Sequence, residues 1–287
     1  MRWIILPLLL LASLAPAAEL TPYQQWLSFT QGAAFNAAGP AGMYAVQDMK
    51  ELQSGSAAYL RPAKQLSSLR WSSQPASDAI VRVEYKNSRA VISGPGLASI
   101  DLLKSPDRQL TLANKLTVRA TLREATLKLW LYNPELVAQR KFRGLDYFPY
   151  DPKAVVSARF SRKDQPTPVN YLDSRDHAGV MYVVGTAKLP IGGKIHTIKA
   201  YSYKNRWADI DALLFLLKDS TSGKSTYGGG RVIEMHIPRG APPASVAINL
   251  NMAYSFLCAH SEFYNCPIAL TDRLDVALPY GEKYPPL

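Results

Sequence analysis

From Ile80 onward the chain alternates. In AIVRVEYKNSRAVISG, Val81, Val83 and Tyr85 stand opposite Ile80, Arg82 and Glu84, and Asn87-Ser88 separates two apolar runs. Successive side chains of a strand point to opposite faces, so the pattern predicts a hairpin that turns at Asn87-Ser88. KLTVRATLREATLKLWLY continues in kind: Leu116, Val118, Ala120 and Leu122 share one face, and Leu127, Leu129 and Leu131 follow a Glu-Ala break. Residues 80–133 therefore read as a small antiparallel sheet. Beyond Asn133-Pro134 and the polar QRKFRG, further strand candidates follow in AVVSARF, VMYVVGTAKLPIGGKIHTIKAYSY, ALLFLLKD, GRVIEMHI and SVAINLNM. Gly192-Gly193 is the clearest tight turn among them.

Ahead of the sheet, a short helix is predicted over Pro22 to Phe29, with proline pre-organised at an early helical position and Gly39-Pro40 and Gly42 as breakers. No amphipathic helix longer than about three turns is evident. The expected fold is mainly β, of antiparallel sandwich or barrel type. It divides into a small N-terminal β subdomain within residues 18–135 and a larger C-terminal β domain over residues 136–287.

The first residues add a destination. Met1-Arg2, the apolar run from Trp3 to Leu14, and small residues at Ala15 and Ala17 have the form of a secretory signal peptide over residues 1–17. Cleavage is expected after Ala17, which places the protein in the periplasm or outside the cell. The apolar run is shorter than the roughly 20 residues a bilayer core needs, and no later stretch reaches that length, so no transmembrane segment is expected. Lys+Arg number 33 against 22 Asp+Glu, a net charge of +11. A cationic exported chain is drawn to anionic surfaces, which suggests an anionic or envelope-derived ligand and peripheral association with membrane, and argues against nucleic acid.

DSTSGKSTYGGGR, residues 219–231, contains Gly223-Lys224-Ser225. A Walker-type phosphate loop needs glycine five positions earlier and a helix afterwards, so that free amides wrap the phosphates. Lys218 occupies that position and Gly228-Gly229-Gly230 would break a helix. The better reading is an inter-strand loop in which Asp219 accepts hydrogen bonds from Thr221 and the loop backbone. Arg231 then either pairs with Asp219 inside the protein or grips an anion bidentately.

Cys258 and Cys266 are the only cysteines. An even pair at short spacing in an oxidising compartment reads as a disulfide; the sharper alternative makes Cys258 a nucleophile with His260 as its base. His177, His196, His236 and His260 lack metal-ligand spacing, so neither a metal nor another cofactor is expected.

Phe142-Arg-Gly144-Leu145-Asp-Tyr-Phe148-Pro149, Asp219-x-Thr221-x-Gly223-x-x-Thr226-Tyr227-x-x-Gly230-Arg231, Asn251-x-Ala253-Tyr254, Cys258, Cys266-Pro267 and Gly281-Glu282-Lys283 together resemble the prokaryotic family of domain of unknown function 1684. The resemblance covers roughly residues 130–285. It implies no activity, but it marks Asp219, Thr221, Tyr227, Arg231, Asn251 and Tyr254 as ligand-binding candidates. Asn249 stands where the family usually has Asp, and Ser255-Phe256 replaces a usual Asn-Pro, which removes a candidate base. The family's first half can resemble a forkhead-associated sandwich. The functional expectation is an exported, envelope-associated ligand-binding protein, with a hydrolase using an Asp219/Arg231/Cys258 cleft as the rival.

Overall fold

The computed structural model describes residues 20–123 and 125–285; the expected signal peptide lies outside the described residues. The chain enters through α1 (Pro22–Ala38). Its start is a capping box, in which the Thr21 hydroxyl accepts the Gln24 N–H and the Gln24 side chain accepts the Thr21 N–H. The helix runs past Phe29 to Ala38, further than the sequence suggests, because Gly32 lies in open space and the alanines around it are good helix formers. Gly39-Pro40 then stops it.

Nine strands follow: β1 (Val46–Leu52), β2 (Ser56–Leu60), β3 (Trp71–Ser72), β4 (Val81–Lys86), β5 (Arg89–Gly94), β6 (Leu97–Asp101), β7 (Gln109–Thr111), β8 (Thr117–Arg123) and β9 (Thr126–Tyr132). They form a four-stranded sheet ordered β1-β9-β8-β7 and a five-stranded sheet ordered β3-β2-β4-β5-β6. Leu60, Val83, Ile92, Val118 and Leu129 are among the fully buried residues between them, so the region is a sandwich. The β4–β5 hairpin turns at Asn87 and Ser88 with φ of 51° and 57°, the left-handed pair whose twist suits adjacent strands. Strands β1 to β3 carry no clear alternation in sequence; they are recruited as partners for the strongly patterned strands.

After α2 (Glu135–Gln139) the second region contributes β10 (Val155–Leu172), β11 (Ala178–Ile191), β12 (Lys194–Ser202), β13 (Ala212–Lys218), β14 (Arg231–His236), β15 (Ser245–Asn249), β16 (Tyr254–Ser255) and β17 (Asp272–Arg273). Their order is β15-β10-β11-β12-β13-β14-β16, with β17 parallel to β13. Among the described residues neither region closes into a barrel. Gly192 and Gly193, at φ of 59° and 74°, make the tight β11–β12 turn. β10 extends through the polar SRKDQPTPVN, where Pro166 and Pro168 would argue against a strand; the register shift between Arg162 and Thr167 accommodates them.

The C-terminal sheet is apolar on both faces. Leu213, Phe215 and Leu217 enter the main core, whereas Leu214 and Leu216 join a second cluster with Met181, Val232 and Phe256. That explains the unbroken apolar run of ALLFLLKD, since a strand covered on both sides has no polar face to keep.

Candidate functional site

Alternation along β14 sorts its residues by task. Ile233 and Met235 face the main core with Arg231 between strands, while Val232, Glu234 and His236 look the other way and line cavities. One cavity, of about 410 Å³, lies between α1 and the C-terminal region. Phe29, Ala33 and Ala37 of α1 form one wall; Glu234 and His236 stand at its exposed side, and Tyr147, Ser255, His260 and Glu282 line its interior.

Backbone pairing builds the interior. Tyr147 and Glu282 face one another across an antiparallel bridge, flanked by the Phe148 N–H to Gly281 carbonyl bond and the Lys283 N–H to Asp146 carbonyl bond. Two stretches of the family pattern, around Leu145–Pro149 and Gly281–Lys283, are thus paired in space. Glu282 Oε2 accepts the Ser255 N–H at 2.9 Å, and Glu282 Oε1 lies 2.8 Å from His260 Nε2. The His260 and Glu282 side chains are 1% and 2% exposed. The two groups are thus polar partners of one another. Tyr44 Oη is 3.0 Å from His260 Nδ1.

The Tyr147 hydroxyl and Ser255 Oγ are buried without a partner among the described residues. Burial first, then the Glu282 charge, pushes the Tyr147 phenol well above its ordinary range, and the same two causes raise Tyr44 to about 12. Both tyrosines are therefore neutral hydroxyls at physiological pH. Two such hydroxyls lining one cavity stand out, because buried polar groups are nearly always paired.

The residues marked by the sequence separate into two groups. Asp219 and Arg231 form a buried pair at 2.5 Å, with side chains 0% and 3% exposed. Asp219 Oδ1 also accepts from the Thr221 N–H at 2.8 Å, the Thr221 hydroxyl at 2.6 Å and the Leu278 N–H at 3.2 Å. Arg231 donates to the carbonyls of Leu278 and Tyr280. Burial lowers the guanidinium pKa, and Asp219 opposes the shift. Within the loop, the amides of Lys224, Ser225 and Thr226 all donate to the Thr221 carbonyl, and the Gly223 amide donates to the Thr226 carbonyl, so the loop is closed on itself. Asn251 knits strand ends by bonding both the N–H and carbonyl of Asp151, and it also bonds Asn249, which reaches the Pro22 carbonyl.

Tyr254 alone of the six lines the large cavities. Its hydroxyl donates to Glu234 at 3.3 Å, and burial raises its pKa. Tyr227 instead approaches Cys258, its hydroxyl 3.9 Å from the sulfur.

Cys258 and Cys266 are free thiols here rather than the expected disulfide. The 3₁₀ turn Leu257–Ala259 directs the Cys258 amide at Cys266 Sγ, 3.3 Å away. A hydrogen bond between the thiols lowers Cys258 to about 7 and raises Cys266, which burial raises further. Among the described residues, no three His, Cys, Asp or Glu side chains are grouped to hold a metal ion, and no helix is long and apolar enough to cross a membrane.

Sequence reasoning gave no site role to Tyr147, Ser255 or Glu282, and weighed His260 as a metal ligand, which its spacing argued against, and as a base for Cys258. Glu282 and Tyr147 did sit inside the recognised pattern, but nothing in their spacing reveals that residues so far apart in sequence are neighbours.

An open, mainly antiparallel C-terminal β region enclosing a polar-floored cavity defines the class. The family model described as protein of unknown function (DUF1684) matches residues 140–283, half of the chain, and the protein belongs to that family. It is also similar to the solution NMR structure of an uncharacterized protein of Haloarcula marismortui, at 26% identity over 50% of this chain and 78% of that one, with a TM-score of 0.41. No curated protein matches the chain.

Proposed function

We propose that the protein binds a small amphiphile whose uncharged or cationic polar end enters the cavity floored by Tyr147, Ser255, His260 and Glu282. The observation that carries this reading is the pair of unpartnered buried hydroxyls, Tyr147 and Ser255, beside the Glu282 carboxylate in one mainly apolar cavity, where a ligand would supply the missing partners. Its lining includes Glu234 and Glu282 and, among the described residues, no Lys or Arg. An anionic head would meet carboxylates there, which favours an uncharged or cationic head over the anion suggested by the net charge. Binding rather than hydrolysis is supported by His260. Tyr44 and Glu282 flank its two nitrogens, which leaves Ser255 without a recognisable base.

Calorimetric titration with decylamine, decanol and decanoate tests this. The amine and the alcohol are expected to bind and decanoate not to. Glu282→Gln is expected to weaken the amine about tenfold or more, the usual worth of a charge-assisted hydrogen bond. Decanoate binding as tightly as decylamine would end the proposal.

Export is part of the same reading and rests on the leader in the sequence. In an oxidising compartment the thiols of Cys258 and Cys266, brought together where the Cys258 N–H meets Cys266 Sγ at 3.3 Å, are expected to be oxidised to a disulfide by the compartment's thiol oxidants. Protein recovered from the periplasm is expected to begin at Ala18 and to titrate no free thiol when denatured without reductant. A cytosolic protein still beginning at Met1, with two free thiols, would refute it.

A further inference from the structure

A second cavity, of about 450 Å³, adjoins the first. Glu234, Tyr254, Leu257 and Tyr264 line both, so the two hollows lie on either side of one partition. The second is predominantly apolar, with Met181, Ala212, Leu214, Leu216, Val232 and Phe256 in its walls. Leu257, on the partition, remains 42% exposed, and Tyr203 at the second cavity is 51% exposed.

We infer that the two cavities form one binding site for a single-chain amphiphile: the polar end sits at Glu282 and the aliphatic chain crosses the Tyr254–Glu234 partition into the second cavity. This rests on the preceding reading of the first cavity and adds the shape of the ligand. The polar floor lies at the buried end, with His260 and Glu282 almost fully covered, whereas Glu234 at the partition is an exposed residue. A chain attached to a head at the floor leaves past the partition, where Tyr254, Leu257 and Tyr264 offer apolar surface on both sides. The hydrogen bond from Tyr254 to Glu234 holds the tyrosine ring in place and occupies one oxygen of the carboxylate at the partition. Chain length is then the selected property. A short chain fills the first cavity alone, and each further methylene gains contact in the second.

Titration of hexylamine and decylamine into the intact protein, and into Ala212→Phe, tests this. Ala212 is small, partly exposed and lines the second cavity only, so a larger side chain there fills the tail site and leaves the polar floor untouched. Wild type is expected to favour decylamine by about fourfold for each methylene that enters the second cavity. Ala212→Phe is expected to abolish that gain and leave hexylamine unchanged; Ala212→Leu, a milder filling, should remove part of it. Equal affinity of the two amines for wild type overturns the inference and leaves the head-group reading standing. So does an Ala212→Phe protein that keeps the full preference, or that loses both amines alike. If neither amine binds wild type, both fail.

Discussion

Arg231→Ala and Asp219→Ala are each expected to lower stability by about 3–5 kcal/mol, against about 0.5 kcal/mol or less for Lys224→Ala in the same loop. Each of the first two leaves a charge stranded in a site where the side chains are 0% and 3% exposed. Asp219→Ala also strands the amides of Thr221 and Leu278, which share Oδ1. Arg231→Ala strands the carbonyl of Tyr280 and removes one of the two donors to the Leu278 carbonyl. Lys224 is exposed and has no such role. Urea unfolding followed by tryptophan fluorescence should show the midpoint moving for the two pair variants while the slope with urea stays constant. Equal midpoints for Asp219→Ala and Lys224→Ala would contradict the buried-pair account.

Gly281→Ala should be of similar size, on the order of 3 kcal/mol or more, for a different reason. Gly281 has φ of +73°, and a Cβ there would lie 2.3 Å from the Ala253 carbonyl oxygen. That oxygen accepts the Glu282 N–H at 2.8 Å, so it cannot retreat without releasing the residue that floors the cavity. Gly96→Ala provides the comparison, because Gly96 has φ of +68° and nothing within 4 Å of an added Cβ. It is expected to cost only the left-handed conformation itself, about 1–2 kcal/mol. The two variants together separate backbone preference from collision. Gly281→Ala should also bind decylamine more weakly than its residual folded fraction accounts for, whereas Gly96→Ala should bind normally. Matching denaturation midpoints for the two would remove the collision argument.

Much of the fold is legible wherever burial is one-sided. Val81, Val83 and Tyr85 announce β4, and Asn87-Ser88 and Gly192-Gly193 announce their turns, because pleat and turn chemistry act over a few residues. The helix end at Ala38 and the strands between Val46 and Ser72 are less legible, since they are decided by partners elsewhere in the chain. The same division holds for function. The Asp219, Thr221 and Arg231 cluster stands out in sequence because its members are close together, and its contacts fasten a loop to the segment near Leu278 and Tyr280. The cavity is harder to see. Tyr147, Ser255, His260 and Glu282 are ordinary residues one by one, and only the bridge between Tyr147 and Glu282 gathers them.

That cavity takes one wall from α1, near residue 33, and its acid from residue 282. During synthesis α1 and the two N-terminal sheets can form before Ser255, His260 and Glu282 leave the ribosome, so the polar side of the hollow behind α1 is completed last. An unfinished or nicked chain could keep nearly all of its β structure and still have no floor to its pocket. Quality control that senses only exposed strands would pass such a chain, so the contacts of Glu282, rather than strand content, are the measure of a completed floor.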